Sequence, residues 1–271
     1  MLLVDSGRFA YSGTDRSATL HVEYARNASA HNTLTFDGCD QLPAPAVADA
    51  PLPNASVSLS TARDSAFGSM SAYDPACLAG AATHTRGVVY TRGAVGGDAD
   101  GDFFVVVDGV ASDRARDVQA FWHAHPNATG GIAIDTATLA ATIGGADIAG
   151  RPAAAQACVV PARAAAGVAG AAAWARAAVV AGVVRDDATG ARWQGWYSAS
   201  YDDSAPAPTA IYSARVAGGA APTAFGWLIV PTAGRAPCAA HDAVIVAVAP
   251  GAVVVTVSVA GAAHENVTVP W

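Results

Sequence analysis

Residues 243–259 read A-V-I-V-A-V-A-P-G-A-V-V-V-T-V-S-V, and this stretch decides the fold. Two β-branched arms, Ala243 to Ala249 and Ala252 to Val259, flank a Pro250-Gly251 turn, which is the pattern of a β-hairpin. Working outward, Phe103 to Val107 is a continuous apolar run, as expected for a strand covered on both faces. Phe225 to Val230 and Arg192 to Ser198 read as further strands, each carrying tryptophan. Ala18 to Tyr24 alternates, with Leu20, Val22 and Tyr24 opposite His21 and Glu23, and predicts another strand. Packing sheet on sheet buries such elements, so the expected class is all-β: an antiparallel, multi-stranded β-sandwich of two stacked sheets. Pro43 to Pro53 holds four prolines and predicts a long connection. Ala153 to Val184 is rich in helix-favouring alanine, but its valines and glycines form no helical stripe, so helix and non-helix both stay open there. No internal repeat or linker is evident, and residues 1–271 read as one domain.

A chain of 271 residues has ample core for one large β-domain. All fifteen basic residues are arginine and the net charge is -7. That balance argues against a duplex nucleic-acid binder, which needs a basic face, while leaving local arginines able to meet an anionic ligand. The most apolar stretch, Ala164 to Val184, carries Arg176 in its middle and is mostly Ala and Gly, so no membrane span is expected. Met1 runs into Leu2-Leu3-Val4-Asp5-Ser6-Gly7 without a charged n-region or cleavage site, and no secretory signal is read there. Sequons at Asn27, Asn54, Asn127 and Asn266 nevertheless fit a secreted glycoprotein. The two readings agree if the chain is the downstream part of a longer protein. Cys39, Cys77, Cys158 and Cys238 form no CxxC pair; three disulfide connectivities are open, with Cys39–Cys77 and Cys158–Cys238 preferred.

Polar chemistry concentrates in Tyr24 to Gln41, Y-A-R-N-A-S-A-H-N-T-L-T-F-D-G-C-D-Q. His31 and Asn32 precede an alternating segment with Thr33, Thr35 and Asp37 on one face and Leu34 and Phe36 on the other, ended by an Asp37-Gly38 turn. His31, Asp49 and His84 supply two imidazoles and a carboxylate, a set that suits Zn²⁺ with one position left for water. Their spacing is not specific, and a hydrogen-bonded histidine at a strand end is the plain alternative for His31. Tyr73, in S-A-Y-D-P, could exchange a proton if its phenol were perturbed, with Tyr11, Tyr24 and Tyr90 as competitors; a half-buried aromatic at a sheet edge is the commoner arrangement. His123 and His125 form an H-x-H pair, a metal geometry that rivals His84 as a ligand source, and solvated imidazoles at a strand end are the favoured reading. Arg86 and Arg92 flank Val88-Val89-Tyr90 and could meet a substrate carboxylate bidentately. Gly96 to Asp102 alternates acidic residues but lacks the closing Glu of a calcium loop and reads as a polar turn.

These residues together make the chain resemble the C-terminal β-domain of heparinase II/III-like polysaccharide lyases, a group that includes oligoalginate lyases. The likeness runs through Leu3-Val4-Asp5-Ser6-Gly7-Arg8-Phe9-Ala10-Tyr11, then Ser29-Ala30-His31-Asn32-Thr33-Leu34-Thr35-Phe36-Asp37-Gly38 with Asp40-Gln41. It continues in His84-x-Arg86-x-Val88-Val89, Phe104-Val105-Val106-Val107-Asp108 and Trp122-His123, with weaker echoes at Gln194 to Ser198, Tyr201 and Pro231. The resemblance implies cleavage of uronic-acid polysaccharides by β-elimination. It also implies a zinc ion held by two His and an Asp, whose order falls on His31, Asp49 and His84, with Asp37 and Asp40 nearby in sequence. It further implies a catalytic tyrosine at Tyr73; Asn32 and Arg86 are expected to bind substrate. The family's N-terminal α/α-toroid, which supplies further catalytic residues, has no counterpart in this sequence, so the chain by itself is expected to be weakly active or inactive. The partners expected are an anionic polysaccharide and a toroid upstream or in trans. A non-catalytic carbohydrate-binding or structural β-module of a secreted glycoprotein is the competing reading.

Overall fold

The computed structural model describes residues 3–7, 9–10, 16–41, 55–93, 101–128, 131–144, 156–232, 238–262 and 264–271. Three β-sheet layers, antiparallel but for one strand pair, account for most of them. The middle layer is an eight-stranded sheet in the order Ser56–Ser58, Arg63–Met70, Ala82–Thr91, Phe103–Ser112, Gly219–Thr232, Gln156–Pro161, Ala141–Ile143 and Ile132–Ile134. A four-stranded sheet, in the order Leu34–Phe36, Arg116–His123, Thr209–Val216 and Arg176–Val180, covers one face. Another four-stranded sheet, Arg163–Ala164, Asp242–Ala249, Ala252–Ser258 and Glu265–Pro270, covers the other. Its first pair is parallel; its centre is the Ala243–Val259 hairpin read from the sequence.

The continuous apolar run at Phe103 follows from burial on both sides of the middle sheet. Phe103, Val105 and Val107 point into the core shared with the C-terminal sheet, while Val106 and Val110 join the other core. Across the ladder, Leu228 and Val230 pack with the first set, and Phe225, Trp227 and Ile229 with the second. The period of two thus feeds two cores instead of one core and solvent. Trp122, Trp174, Tyr212 and Trp227 meet in the core between the middle sheet and the Arg116–His123 sheet, with ring centroids 4.8–6.2 Å apart.

Several local expectations change. Ala18 to Tyr24 is helical, an α-helix at Arg16–Leu20 running into a π-helix at His21–Ala25. Leu20 and Tyr24, both 0% exposed, lie four residues apart on one helical face, and Val22, which strand alternation would bury with them, is 60% exposed. Arg192 to Ser198 contains only the short strand Trp196–Tyr197, because Gly195 turns the chain with φ +73°. The described part of the Ala153–Val184 segment holds the strands Gln156–Pro161, Arg163–Ala164 and Arg176–Val180 and no helix. Glycines at 167, 170 and 182 adopt positive φ there and break any helical run. The Pro43–Pro53 connection falls in residues 42–54, outside the described residues. No described helix is long and apolar enough to cross a membrane.

Two devices seat the layers. A Cβ on Gly87 would lie 1.8 Å from the Pro270 carbonyl oxygen, and one on Gly109 would lie 2.5 Å from the Trp271 ring. Glycine at both sites lets the C-terminal strand lie directly against the middle sheet. The disulfides Cys39–Cys77 and Cys158–Cys238 both form, as the sequence reading preferred. The second ties a middle-sheet strand to the 3-10 helix Cys238–Ala240 that leads into the C-terminal sheet.

Gly87→Ala should lower stability by about 1–3 kcal/mol through overpacking, read as a lower urea midpoint at unchanged slope. An unchanged midpoint would show that the third layer is not seated on this glycine. Replacing Cys158 and Cys238 together by alanine should cost roughly 2–5 kcal/mol. The Cys39–Cys77 pair closes 38 residues against 80 for the other, so its removal should cost less.

Candidate functional site

Three neighbouring strands of the middle sheet build a polar knot inside the core. Arg86 pairs with Asp108 across the Ala82–Thr91 and Phe103–Ser112 ladder, and His84 pairs with Val110. On the other side of Phe103–Ser112, Phe225 pairs with Asp108, which brings Trp227 within reach. Asp108 is 0% exposed, and its partners are nitrogens of His84, Arg86 and Trp227. Its Oδ1 accepts from His84 Nε2 at 2.7 Å and Arg86 Nε at 2.7 Å. Its Oδ2 accepts from Arg86 Nη2 at 3.0 Å and Trp227 Nε1 at 2.9 Å. Burial alone would raise the Asp108 carboxyl, but the Arg86 guanidinium and His84 outweigh it and hold the group well below the usual carboxylate range. Burial depresses His84, against the pull of Asp108, which favours a neutral ring.

The knot extends to the facing sheet. The Arg86 guanidinium lies 5.6 Å from the centre of the Trp122 ring, and its Nη1 donates to the Asn32 carbonyl. Asn32 in turn donates from Nδ2 to the Val4 carbonyl at 2.9 Å, and its Oδ1 accepts from the His123 backbone N–H at 2.8 Å. The buried His123 ring lies between Asn32 Oδ1 at 3.2 Å and the Ser29 carbonyl at 3.1 Å, and burial pushes its pKa down to about 4. His123 is thus a neutral core histidine, not the solvated imidazole expected at a strand end.

His31 sits one residue from this junction and binds Asp5 instead: Nδ1 lies 2.8 Å from Asp5 Oδ1 and 3.0 Å from Oδ2. That hydrogen bond raises His31 and lowers Asp5. Tyr73 is 8% exposed and packs edge-on against Phe36, with ring centroids 5.2 Å apart. Burial pushes its phenol up. Its bridge partner Gln41 edges a shallow depression of about 330 Å³ together with Thr33, Met70, His84 and Arg86. His84 and Arg86 thus line this depression, Asn32 adjoins it through Arg86 and Tyr73 through Gln41, and His31 turns toward the chain start. Arg92, the other arginine read for a carboxylate, pairs with Asp64. Asp49 lies outside the described residues.

Among the described residues no three His, Cys, Asp or Glu side chains stand together to hold a metal. Taken singly, each imidazole has the chemistry of a metal ligand. His31 carries a carboxylate on Nδ1 and His84 carries one on Nε2, the arrangement found behind metal-bound histidines.

Sequence reasoning missed Asp5, Trp227 and the part played by Asp108. Asp108 had a signal. One carboxylate closing an otherwise apolar strand run must find donors or remain neutral. Trp227 had none, since its pairing depends on strand order. A larger cleft of about 660 Å³ opens on the outer face of the facing sheet, between Gln119 and Phe121 on one side and Glu23, Asp40, Arg192 and Trp193 on the other.

The arrangement is that of an antiparallel β-domain with a buried, charge-compensated His–Asp–Arg cluster. The chain belongs to the heparinase II/III-like C-terminal family, which matches residues 1–236. Among solved structures, a mutant heparan sulfate lyase HepC from Pedobacter heparinus is similar over 99% of this chain, at 15% identity and a TM-score of 0.66. A heparinase III gene product is similar over 100% of the chain, at 15% identity and a TM-score of 0.63. At these identities the likeness shows the fold alone. The chain spans 34% of the length of each of these proteins. The comparison with curated proteins found no match.

Asp108→Ala removes the acceptor for Arg86, His84 and Trp227 at once. It should cost about 3–5 kcal/mol, as expected when a buried charge loses its partner. The check is a urea midpoint set against wild type, and a loss below 1 kcal/mol would show that the knot is dispensable to the fold.

Proposed function

We propose that this chain forms the β-domain of a lyase that cleaves uronic-acid polysaccharides, of the heparan or alginate kind, by β-elimination. A base removes the C5 proton while the adjacent carboxylate is neutralised, and an acid protonates the leaving O4. The family match over residues 1–236 is the observation that carries the reading. Since the chain spans 34% of the fold neighbours, the remaining catalytic groups and much of the cleft are assigned to an α/α-toroid, upstream in a longer protein or in trans.

Within this reading Tyr73 is the catalytic tyrosine, joined to the edge of the depression through its bridge to Gln41. Arg86 and Asn32 would meet the substrate carboxylate with N–H groups not spent on Asp108, the Asn32 carbonyl and Val4. Zinc would be held by His31, Asp49 and His84 and would supply a fixed positive charge beside this network. An extracellular setting is supported by the two disulfides and by the exposed sequon residues Asn127 and Asn266.

Metal analysis and product absorbance of the unsaturated uronate test the proposal together. The purified chain should carry one zinc, which His31→Ala and His84→Ala lose, and should turn over polyuronate poorly until a toroid is supplied. Zinc-free wild type that still binds oligosaccharide would favour a non-catalytic carbohydrate-binding module. Strong turnover by the chain alone would overturn the assignment of the main catalytic groups to a toroid.

A further inference from the structure

We propose that Asp108 is a positioning residue that locks His84 in one tautomer, with the proton on Nε2 and the lone pair on Nδ1. The inference concerns the same site as the proposed zinc and gives His84 its orientation there.

The argument is one of donors and acceptors. Asp108 is fully buried, and three N–H groups and one His84 ring nitrogen converge on its two oxygens. Arginine and the tryptophan indole can only donate. Arg86 Nε on Oδ1, with Arg86 Nη2 and Trp227 Nε1 on Oδ2, therefore require an ionised carboxylate that accepts on both sides. The fork of Arg86 and the indole also fix the plane of the carboxylate, so it cannot rotate to offer His84 anything else. At 2.7 Å from Oδ1, His84 Nε2 faces a pure acceptor and has to carry the hydrogen. In a neutral ring the lone pair is then on Nδ1, the one nitrogen left to bind an electrophile. The ring stands at the edge of the depression it shares with Thr33, Gln41 and Met70. Asp108 reaches none of these groups itself and acts through His84.

The test is made on the ¹⁵N-labelled, metal-free chain at a pH where His84 is neutral. Long-range ¹H–¹⁵N correlations report the tautomer, and His84→Gln identifies the signals. Wild type should show a protonated Nε2 and an unprotonated Nδ1. Asp108→Asn replaces one acceptor by an NH₂ group, which relieves its clash with His84 only if the ring moves its proton to Nδ1. The variant should therefore shift toward the Nδ1–H form and bind zinc about 10–100-fold more weakly. Trp227→Phe, which spares Oδ1, should keep the wild-type tautomer. A wild-type ring that is Nδ1–H or an averaged mixture overturns the inference, whether or not Asp108→Asn folds. An Asp108→Asn ring still wholly Nε2–H overturns it too. The expected tautomers in a chain that binds no zinc would uphold the positioning role and sink the zinc reading instead.

Discussion

A sheet buried on both faces can hold a charge only where the fold neutralises it on the spot. The strand Phe103–Ser112 is such a place: apolar residues fill both cores around it, and Asp108 is its buried carboxylate. An unpaired ion there would cost several kcal/mol. Neighbouring strands supply Arg86, His84 and Trp227 at the required registers, so strand order and charge compensation depend on each other. A one-residue slip of either ladder would move the partners to the opposite face and leave Asp108 without them.

From that knot the polar contacts run outward through Arg86 to the facing sheet. The Asn32 carbonyl receives Arg86, and the Asn32 side chain ties the Val4 and His123 backbones. Segments far apart in sequence, near residues 4, 32, 86, 108 and 123, are thereby held in one hydrogen-bonded chain across the core. His84, Arg86 and Asn32 lie along this chain and not in the wide outer cleft. Ladders on both sides of the Phe103–Ser112 strand fix the relative positions of these side chains.

Much of the fold was legible because β-branched arms and apolar runs report strands directly. The Ala243–Val259 hairpin, the Phe103 run and both disulfide pairings stand as read. The Arg16–Ala25 segment did not, because Leu20 and Tyr24 satisfy a strand and a helix pattern alike over so short a stretch. The third layer also escaped the reading. Alternation tells which residues are buried but not that both sets are, so two stacked sheets became three.

At the site the division is similar. The residue types and order in Ser29 to Gly38 and His84 to Arg86, together with the family's pattern, are properties of the sequence and point to polar chemistry on this domain. The partners of each group were settled only by tertiary structure: Asp5 for His31, Asp108 for His84, and Asn32 for Arg86. Hydrogen bonding is directional and acts over about 3 Å, so it depends on strand order and register across long sequence separations. Local sequence determines what a residue can donate or accept. The assembled sheets decide which group it meets.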